Sequence, residues 1–297
     1  MLGIDFFVGT AAEAIAHISK YGGLIVAPAA PSFIALQDDP DYRRAIADAD
    51  LAIADSGWAV LFWRLLRREK LSRISGLALF KALLDTADAR IQGNLFWILP
   101  SEKAKTKTLE FGRVSGYPIT DDDCYVAPRY STCSHGSVSR EERERVSQRR
   151  GYSIADDCYV APRYFSCSHG SVSREERERV SQRRGYSIAD DALIAILEQR
   201  KPKHIIIGIG GGMQDKLGSY LKHQLTYRPG IYCIGAAPGF VTGDQVVIPM
   251  WADRFFVGWI FRIIGRPREY LTRYWKARLL PLLIIKYGTK IPQLRTS

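Results

Sequence analysis

Four glycines in five positions follow a run of isoleucines in "HIIIGIGGGMQDKLGSYLKHQL" (204–225): Gly208, Gly210, Gly211 and Gly212. A strand that ends in such a turn and passes into a helix can offer backbone N–H groups to a diphosphate or a sugar. Gln214 and Asp215 would add directional hydrogen bonds on the same rim. The bland alternative is a tight strand-to-helix turn that simply wants small residues. Neither well-known phosphate motif is present. The dinucleotide fingerprint G-x-G-x-x-G meets Met213 at its third glycine, or Asp215 if counted from Gly210, and no Gly-Lys-Ser/Thr follows for a phosphate loop. A second feature is Asp55, which closes "LAIAD" (51–55) just before Ser56 and Gly57. A carboxylate at a strand end can take a proton as a general base. It can equally cap the helix that begins in "DSGWAVLFWRLL". A third stretch of the same kind is "GAAPGFVTG" (235–243).

The elements that must position these residues alternate. Strand-like runs stand at 23–29, 51–55, 95–100, "CYVAP", 204–210 and 231–237, with helical patterns such as "PDYRRAIADA", "EKAKTKTLEFGRVS" and "DALIAILEQR" between them. The strands are continuously apolar, as expected when both faces of a sheet are covered. The expected fold is therefore α/β: a Rossmann-like, mostly parallel sheet with helices on both faces, plus a basic helical C-terminal appendage. Ligands of such folds sit at the carboxyl ends of the strands, where all three features fall. The boundary is expected near residue 250, giving an α/β domain over 1–250 and an appendage over 251–297.

The α/β part contains a tandem duplication. Residues 122–155 and 156–189 differ only at Ser131/Phe165 and Thr132/Ser166. Two near-identical units cannot supply the distinct caps of a helical-repeat array, so a parent fold with one copy and a surplus loop is expected. Each copy has a capping box, with Glu142 or Glu176 reaching back to Ser139 or Ser173. Cys124, Cys133 and His135, repeated as Cys158, Cys167 and His169, have none of the usual zinc spacings, so ordinary thiols and no metal site are expected.

The chain is basic, with 42 Lys and Arg against 31 Asp and Glu. That balance favours phosphate-rich partners. No secretory signal is visible, and "ARLLPLLIIKYG" is too short to span a bilayer, so a cytoplasmic protein is expected. From Trp251 onward arginines and lysines interleave with Trp259, Tyr270, Tyr274, Trp275 and aliphatic residues. This composition fits an element lying on an anionic membrane surface. Ordinary core with solvated arginines is the alternative. Nucleic acid is not expected, because no binding motif for it accompanies the tail.

Lined up in order, four blocks resemble the WecG/TagA/CpsF glycosyltransferase family: "PDYRRAIADADLAIADSGWAVLFWRLL", "RISGLALFKALL", "IIIGIGGGMQDKLGSYL" and "VGWIFRIIGRPREYLTRYWKA". The resemblance implies an inverting transferase needing no metal or other cofactor. It would move an N-acetylmannosamine-type sugar from a UDP donor to a polyprenyl-diphosphate-linked saccharide at the inner membrane leaflet, in cell-surface polysaccharide synthesis. By the same resemblance Asp55 is the base, Arg262, Arg268 and Arg273 close over the donor diphosphate, and Gln214 stands at the family's signature Gln. Self-association is also suggested. The sequence departs from the family where "VAPAAPS" (26–32) replaces Thr-Pro-Asn and where Ser56 separates Asp55 from Gly57. These departures keep a non-catalytic membrane-peripheral scaffold as a rival. A Rossmann-like NAD-dependent oxidoreductase is the weaker one, lacking its third glycine.

Overall fold

The computed structural model of the chain describes residues 1–128, 130, 188–243, 275 and 277–295. Within these, six strands form one sheet in the order β2-β1-β6-β5-β3-β4, every neighbouring pair parallel. The strands are β1 (Gly23–Val26), β2 (Leu51–Ala52), β3 (Leu95–Leu99), β4 (Cys124–Val126), β5 (His204–Ile207) and β6 (Gly230–Cys233). The helices, in chain order, are α1 (Ala11–Tyr21), α2 (Ala30–Ala35), α3 (Pro40–Ala47), α4 (Gly57–Arg67), α5 (Gly76–Leu84), α6 (Glu102–Ser115), α7 (Asp191–Arg200), α8 (Met213–Gln224), α9 (Ala237–Val241) and α10 (Leu280–Tyr287). The expected Rossmann-like α/β architecture is thus the observed one.

The unbroken apolar strands have a direct cause. Successive side chains point to opposite faces, and both faces are buried. Leu24, Val26, Phe96, Ile98, Ile205, Ile207, Ile231 and Cys233 face one core, packed by α2, α3, α4, α7, α8 and α10. Ile25, Trp97, Ile206 and Tyr232 face the other, packed by α1, α5 and α6. The closest approach of helix to sheet is at Gly218 of α8, where a β-carbon would stand 2.6 Å from Cys233 Sγ and 2.7 Å from Leu24 Cδ1. A side chain there would push α8 off the sheet, and the glycine turn with it.

The strand order creates a crevice. From β5 the chain leaves through α8 towards β6, while from β3 it leaves through α6 towards β4 on the opposite face. Two neighbouring strands whose connections diverge in this way leave an opening above their carboxyl ends. The glycine run 208–212 stands at that opening.

Two of the sequence expectations are modified. The strand read over 51–55 is only two residues long, because beyond Ala52 the chain turns to lead into α4, keeping one ladder bond from Ile53 N to Val26 O of 2.9 Å. The end of the appendage is not a separate layer. Leu280 and Ile284 of α10 are fully buried against α4 and α2, and Leu2 N donates to Gly288 O at 2.8 Å, tying the first residues to the last.

The two ends of the duplicated region meet in space. Tyr125 and Tyr130, from the first copy, both donate their hydroxyls to Asp190 Oδ2, at 2.8 and 2.7 Å, directly after the second copy ends. Asp190 also caps α7 through Leu193 N. Both tyrosines titrate above the usual phenol range because burial and the carboxylate oppose their ionisation. Among the described residues, β4 and the cap of α7 meet through Asp190 at this edge of the sheet. Cys133, Cys158, Cys167, His135, His169 and both Arg/Glu helices lie outside the described residues.

Candidate functional site

Asp55 was open to two readings, cap or base, and the structure removes the first in its simple form. The residue that caps α4 is Ser56, whose Oγ accepts from Ala59 N at 3.3 Å. Asp55 is half-buried one residue earlier, and its carboxylate turns the other way, accepting the first N–H of α5, from Gly76, at 2.8 Å. Its carbonyl accepts from Arg73 Nε at 2.9 Å. Both partners lie in the "RISG" stretch, whose Arg-x-x-Gly spacing is the signal in the sequence for this contact. A carboxylate at a helix N-terminus is favourably placed in the field of the helix dipole. Asp55 is thus fixed in place without being buried away from solvent.

The other strand ends are joined to Asp55 through a short series of contacts. A β-carbon on Gly76 would lie 3.1 Å from Ile234 O and 3.5 Å from Ala237 Cβ, so the start of α5 rests on the end of β6. Only glycine permits that approach without displacement. The next residue, Gly235, donates its N–H to Gln214 Oε1 at 2.9 Å. Gln214 is 2% exposed, so it anchors the β6 turn to the first turn of α8 rather than lying along the open rim. Cys233 Sγ reinforces the same joint by donating to the Gln214 carbonyl at 3.1 Å.

The glycine turn itself combines strain and space. Gly210 and Gly212 have φ of +106° and +84°, values that side-chain-bearing residues rarely adopt, and a β-carbon on either would meet nothing within 4 Å. They are required by backbone conformation, and the space beside them is open. Gly211 faces the first turn of α2, after β1, where Ser32 Oγ would be 3.7 Å from an added β-carbon. Gly208 is tied into the sheet by its N–H to Ile98 O, 2.9 Å. Asp215 closes a capping bond to Gly212 N at 3.1 Å and is 1% exposed. Burial pushes its carboxyl up to about 7, against the opposing pull of the Gly212 N–H and the Gln214 side chain.

Four loops therefore converge at the carboxyl end of the sheet: 27–32 after β1, 53–57 after β2, 208–213 after β5 and 234–238 after β6. Asp55 supplies a carboxylate and the turn supplies N–H groups. Arg262, Arg268 and Arg273, expected to complete the anion site, lie outside the described residues. Among the described residues no group of three or more His, Cys, Asp or Glu is placed to hold a metal ion. Cys124, the one described thiol of the duplicated region, is buried, and burial pushes its thiol up to about 12, which makes it unreactive.

The sequence model of the glycosyl transferase WecG/TagA/CpsF family matches residues 1–108 and 163–294. The chain belongs to this family. None of the curated proteins matches it. The two matched blocks contain every strand of the WecG/TagA/CpsF site described above: β1, β2, β5 and β6, with Asp55 in the first block and the glycine turn in the second. The interruption, 109–162, takes in the whole first copy of the duplication and the opening of the second. A single copy is thus enough for the match on its C-terminal side, while β4 itself comes from the unmatched copy.

Proposed function

We propose that the chain is an inverting, metal-independent transferase that moves an N-acetylhexosamine-type sugar, N-acetylmannosamine or its uronate, from a UDP donor to a polyprenyl-diphosphate-linked saccharide. The observation that carries this reading is the joint Asp55–Gly76–Ile234/Gly235–Gln214, which fixes a carboxylate and the glycine turn on one rim of a glycosyltransferase fold. In an inverting displacement the acceptor hydroxyl attacks C1 as its proton leaves and the UDP oxygen departs from the opposite side. Asp55 would take that proton. The departing diphosphate gathers negative charge, which N–H groups at the start of α8 and the arginines of the tail would stabilise.

A lipid-linked acceptor fits the outer surface of α4 and α10, which pack side by side. Leu61 and Leu65 on α4, and Leu282 and Ile285 on α10, are 45%, 67%, 62% and 61% exposed. Arg64, Arg67 and Arg68 stand beside the first pair, Arg278 and Lys286 beside the second, and Trp275 is exposed under the Arg278 guanidinium. Aliphatic residues among cations and a tryptophan are what an anionic bilayer surface selects. No helix among the described residues is long and apolar enough to cross a membrane. Peripheral attachment at the inner face of the plasma membrane is the location this reading assigns.

The test is UDP release from a panel of UDP-N-acetylhexosamines with a polyprenyl-diphosphate-GlcNAc acceptor analogue, for wild type and Asp55→Ala. Release that needs acceptor and is lost in the variant supports both the reaction and its base. Release unchanged in Asp55→Ala removes the base, and no release from any donor turns the reading towards a non-catalytic scaffold.

A further inference from the structure

The start of α8 holds a feature that the transfer reaction leaves unused. Asp215 is 1% exposed; Oδ2 accepts from Gly212 N at 3.1 Å and the Gln214 side chain lies beside the carboxyl, whereas Oδ1 is buried with no hydrogen-bond partner among the described residues. A helix N-terminus normally welcomes a carboxylate. Here the carboxylate has been withdrawn from water into a wall that, among the described residues, pairs it with no cation. α8 packs on α3, β1 and β6. From α3 the group facing Asp215 is Tyr42, which also feels Asp39 at the helix cap; from β6 it is Cys233; β1 presents only Gly23, Leu24, Ile25 and Val26. Among the described residues, the neighbouring cation Lys216 is paired with Asp39 at 2.7 Å. The bond to Gly212 also draws on the N–H groups of the turn that we read as the donor-diphosphate site.

We propose that Asp215 makes the glycine turn a proton-linked anion site, so that a diphosphate seated on it is bound together with one proton from solvent, taken up on Asp215 Oδ1. This rests on the reading of the turn as the donor site. The reasoning is electrostatic. A diphosphate at the start of α8 and an ionised Asp215 are like charges competing for the same few N–H groups, in surroundings with little water to screen them. Protonation of Oδ1 removes the repulsion and leaves Oδ2 as the acceptor for Gly212. Burial already places the carboxyl near neutrality, so physiological pH is where the coupling acts. In a cell, donor affinity would weaken as the cytoplasm becomes alkaline.

The test uses the full chain and UDP-N-acetylglucosamine, whose diphosphate has no ionisation of its own in the range. Binding is measured by calorimetry from pH 6 to 8.5, and at one pH in HEPES and in Tris, whose different ionisation heats report proton uptake directly. Wild type is expected to take up a proton and to lose affinity roughly tenfold per pH unit above neutrality, the limiting slope for one linked proton. Asp215→Asn, which keeps an oxygen for Gly212 but cannot titrate, is expected to bind with no such slope. Binding by wild type without proton uptake, or the same slope in Asp215→Asn, overturns the proposal while leaving the donor site intact. Should Asp215→Asn fail to fold, the two-buffer measurement on wild type decides alone. No binding at any pH overturns the donor-site reading itself and the proposal with it.

Discussion

Asp55 has a structural and a chemical part, and two substitutions separate them. Its Oδ1 accepts the Gly76 N–H at 2.8 Å, at a point where Gly76 is buried against the end of β6. In Asp55→Ala that N–H is left without its acceptor, at a cost of about 1–3 kcal/mol, the penalty for an orphaned buried donor. In Asp55→Asn the amide oxygen can keep the bond, so only the charge assistance is lost, about 1 kcal/mol. Chemically the two are alike, because neither can accept a proton from an acceptor hydroxyl. Turnover should therefore fall about 100- to 10,000-fold in both, the range that a positioned base contributes. Urea unfolding followed by fluorescence, beside the UDP-release assay, reads both quantities. The expected pattern is equal loss of activity and unequal loss of stability. Turnover in Asp55→Asn above about a tenth of wild type would refute the base. Equal destabilisation of the two variants would refute the role given to the Gly76 bond.

Three further outcomes follow from other parts of the molecule. The Asp215 carboxyl, at about 7 in the fold against the 3.8 of an ordinary aspartate, binds its proton more tightly folded than unfolded, so its contribution to stability is fully present below about pH 4 and is lost as pH rises through 7. The full shift corresponds to about 4 kcal/mol, and an unpartnered amide in Asp215→Asn would give back about 1 kcal/mol. Asp215→Asn should therefore be more stable than wild type at pH 8 by roughly 2–3 kcal/mol, an advantage that narrows as the pH is lowered towards 4; urea midpoints at the two pH values check this. Removing one copy of the duplication, 122–155, rejoins an identical "DDCYVAPRY" to the chain and should leave stability unchanged or raised by about 0.5 kcal/mol through the shorter loop, measured as a urea midpoint. Replacing Leu61, Leu65, Leu282 and Ile285 together by Gln should release the protein from phosphatidylglycerol vesicles in a flotation assay. Each exposed leucine withdrawn from the interface forfeits on the order of 1–2 kcal/mol.

The fold was legible because its signal is physical and local. Strands buried on both faces must be apolar at nearly every position, and "GLIV", "LFWIL" and "HIII" are, apart from His204, whose buried ring is hydrogen-bonded to the Tyr232 hydroxyl at 3.0 Å. Helices that cover them must cap, and Thr10, Asp39, Ser75, Ser101 and Asp190 do so through their side chains. The site was legible only as far as strand ends could be read. Asp55 and Ser56 are both good capping residues standing side by side, and nothing local shows which one turns back to α4. The answer lies at Gly76, 21 residues on, and depends on α5 resting against β6. Gln214 was read as a rim residue because it opens a helix. It is turned inward because α8 is pressed to the sheet at Gly218, which brings Gly235 N within its reach. The Asp190 joint could not be read at all, since the duplication supplies several equivalent aspartates and tyrosines.

The glycine turn still has to be told apart from a turn that merely needs small residues, and its geometry makes the distinction measurable. Gly210 and Gly212 are held at positive φ, so replacing either with Ala strains the backbone by about 1–2 kcal/mol, whether or not a ligand binds there. Gly211 is different. Its φ is ordinary for an L-residue, and an added methyl meets only Ser32 Oγ at 3.7 Å, a normal contact. The fold gives no reason for a glycine at 211, and Gly211→Ala should match or exceed wild-type stability by up to about 1 kcal/mol through its stiffer unfolded chain. A diphosphate lying on the turn does give a reason, because the methyl would stand in the gap between the turn and the β1 loop. UDP-N-acetylglucosamine should then bind Gly211→Ala roughly tenfold more weakly, about 1.4 kcal/mol, while its urea midpoint is no lower than that of wild type. Wild-type affinity in that variant would mean that the open space beside the glycines is not where the donor sits, and the anion site would have to be sought elsewhere on the rim.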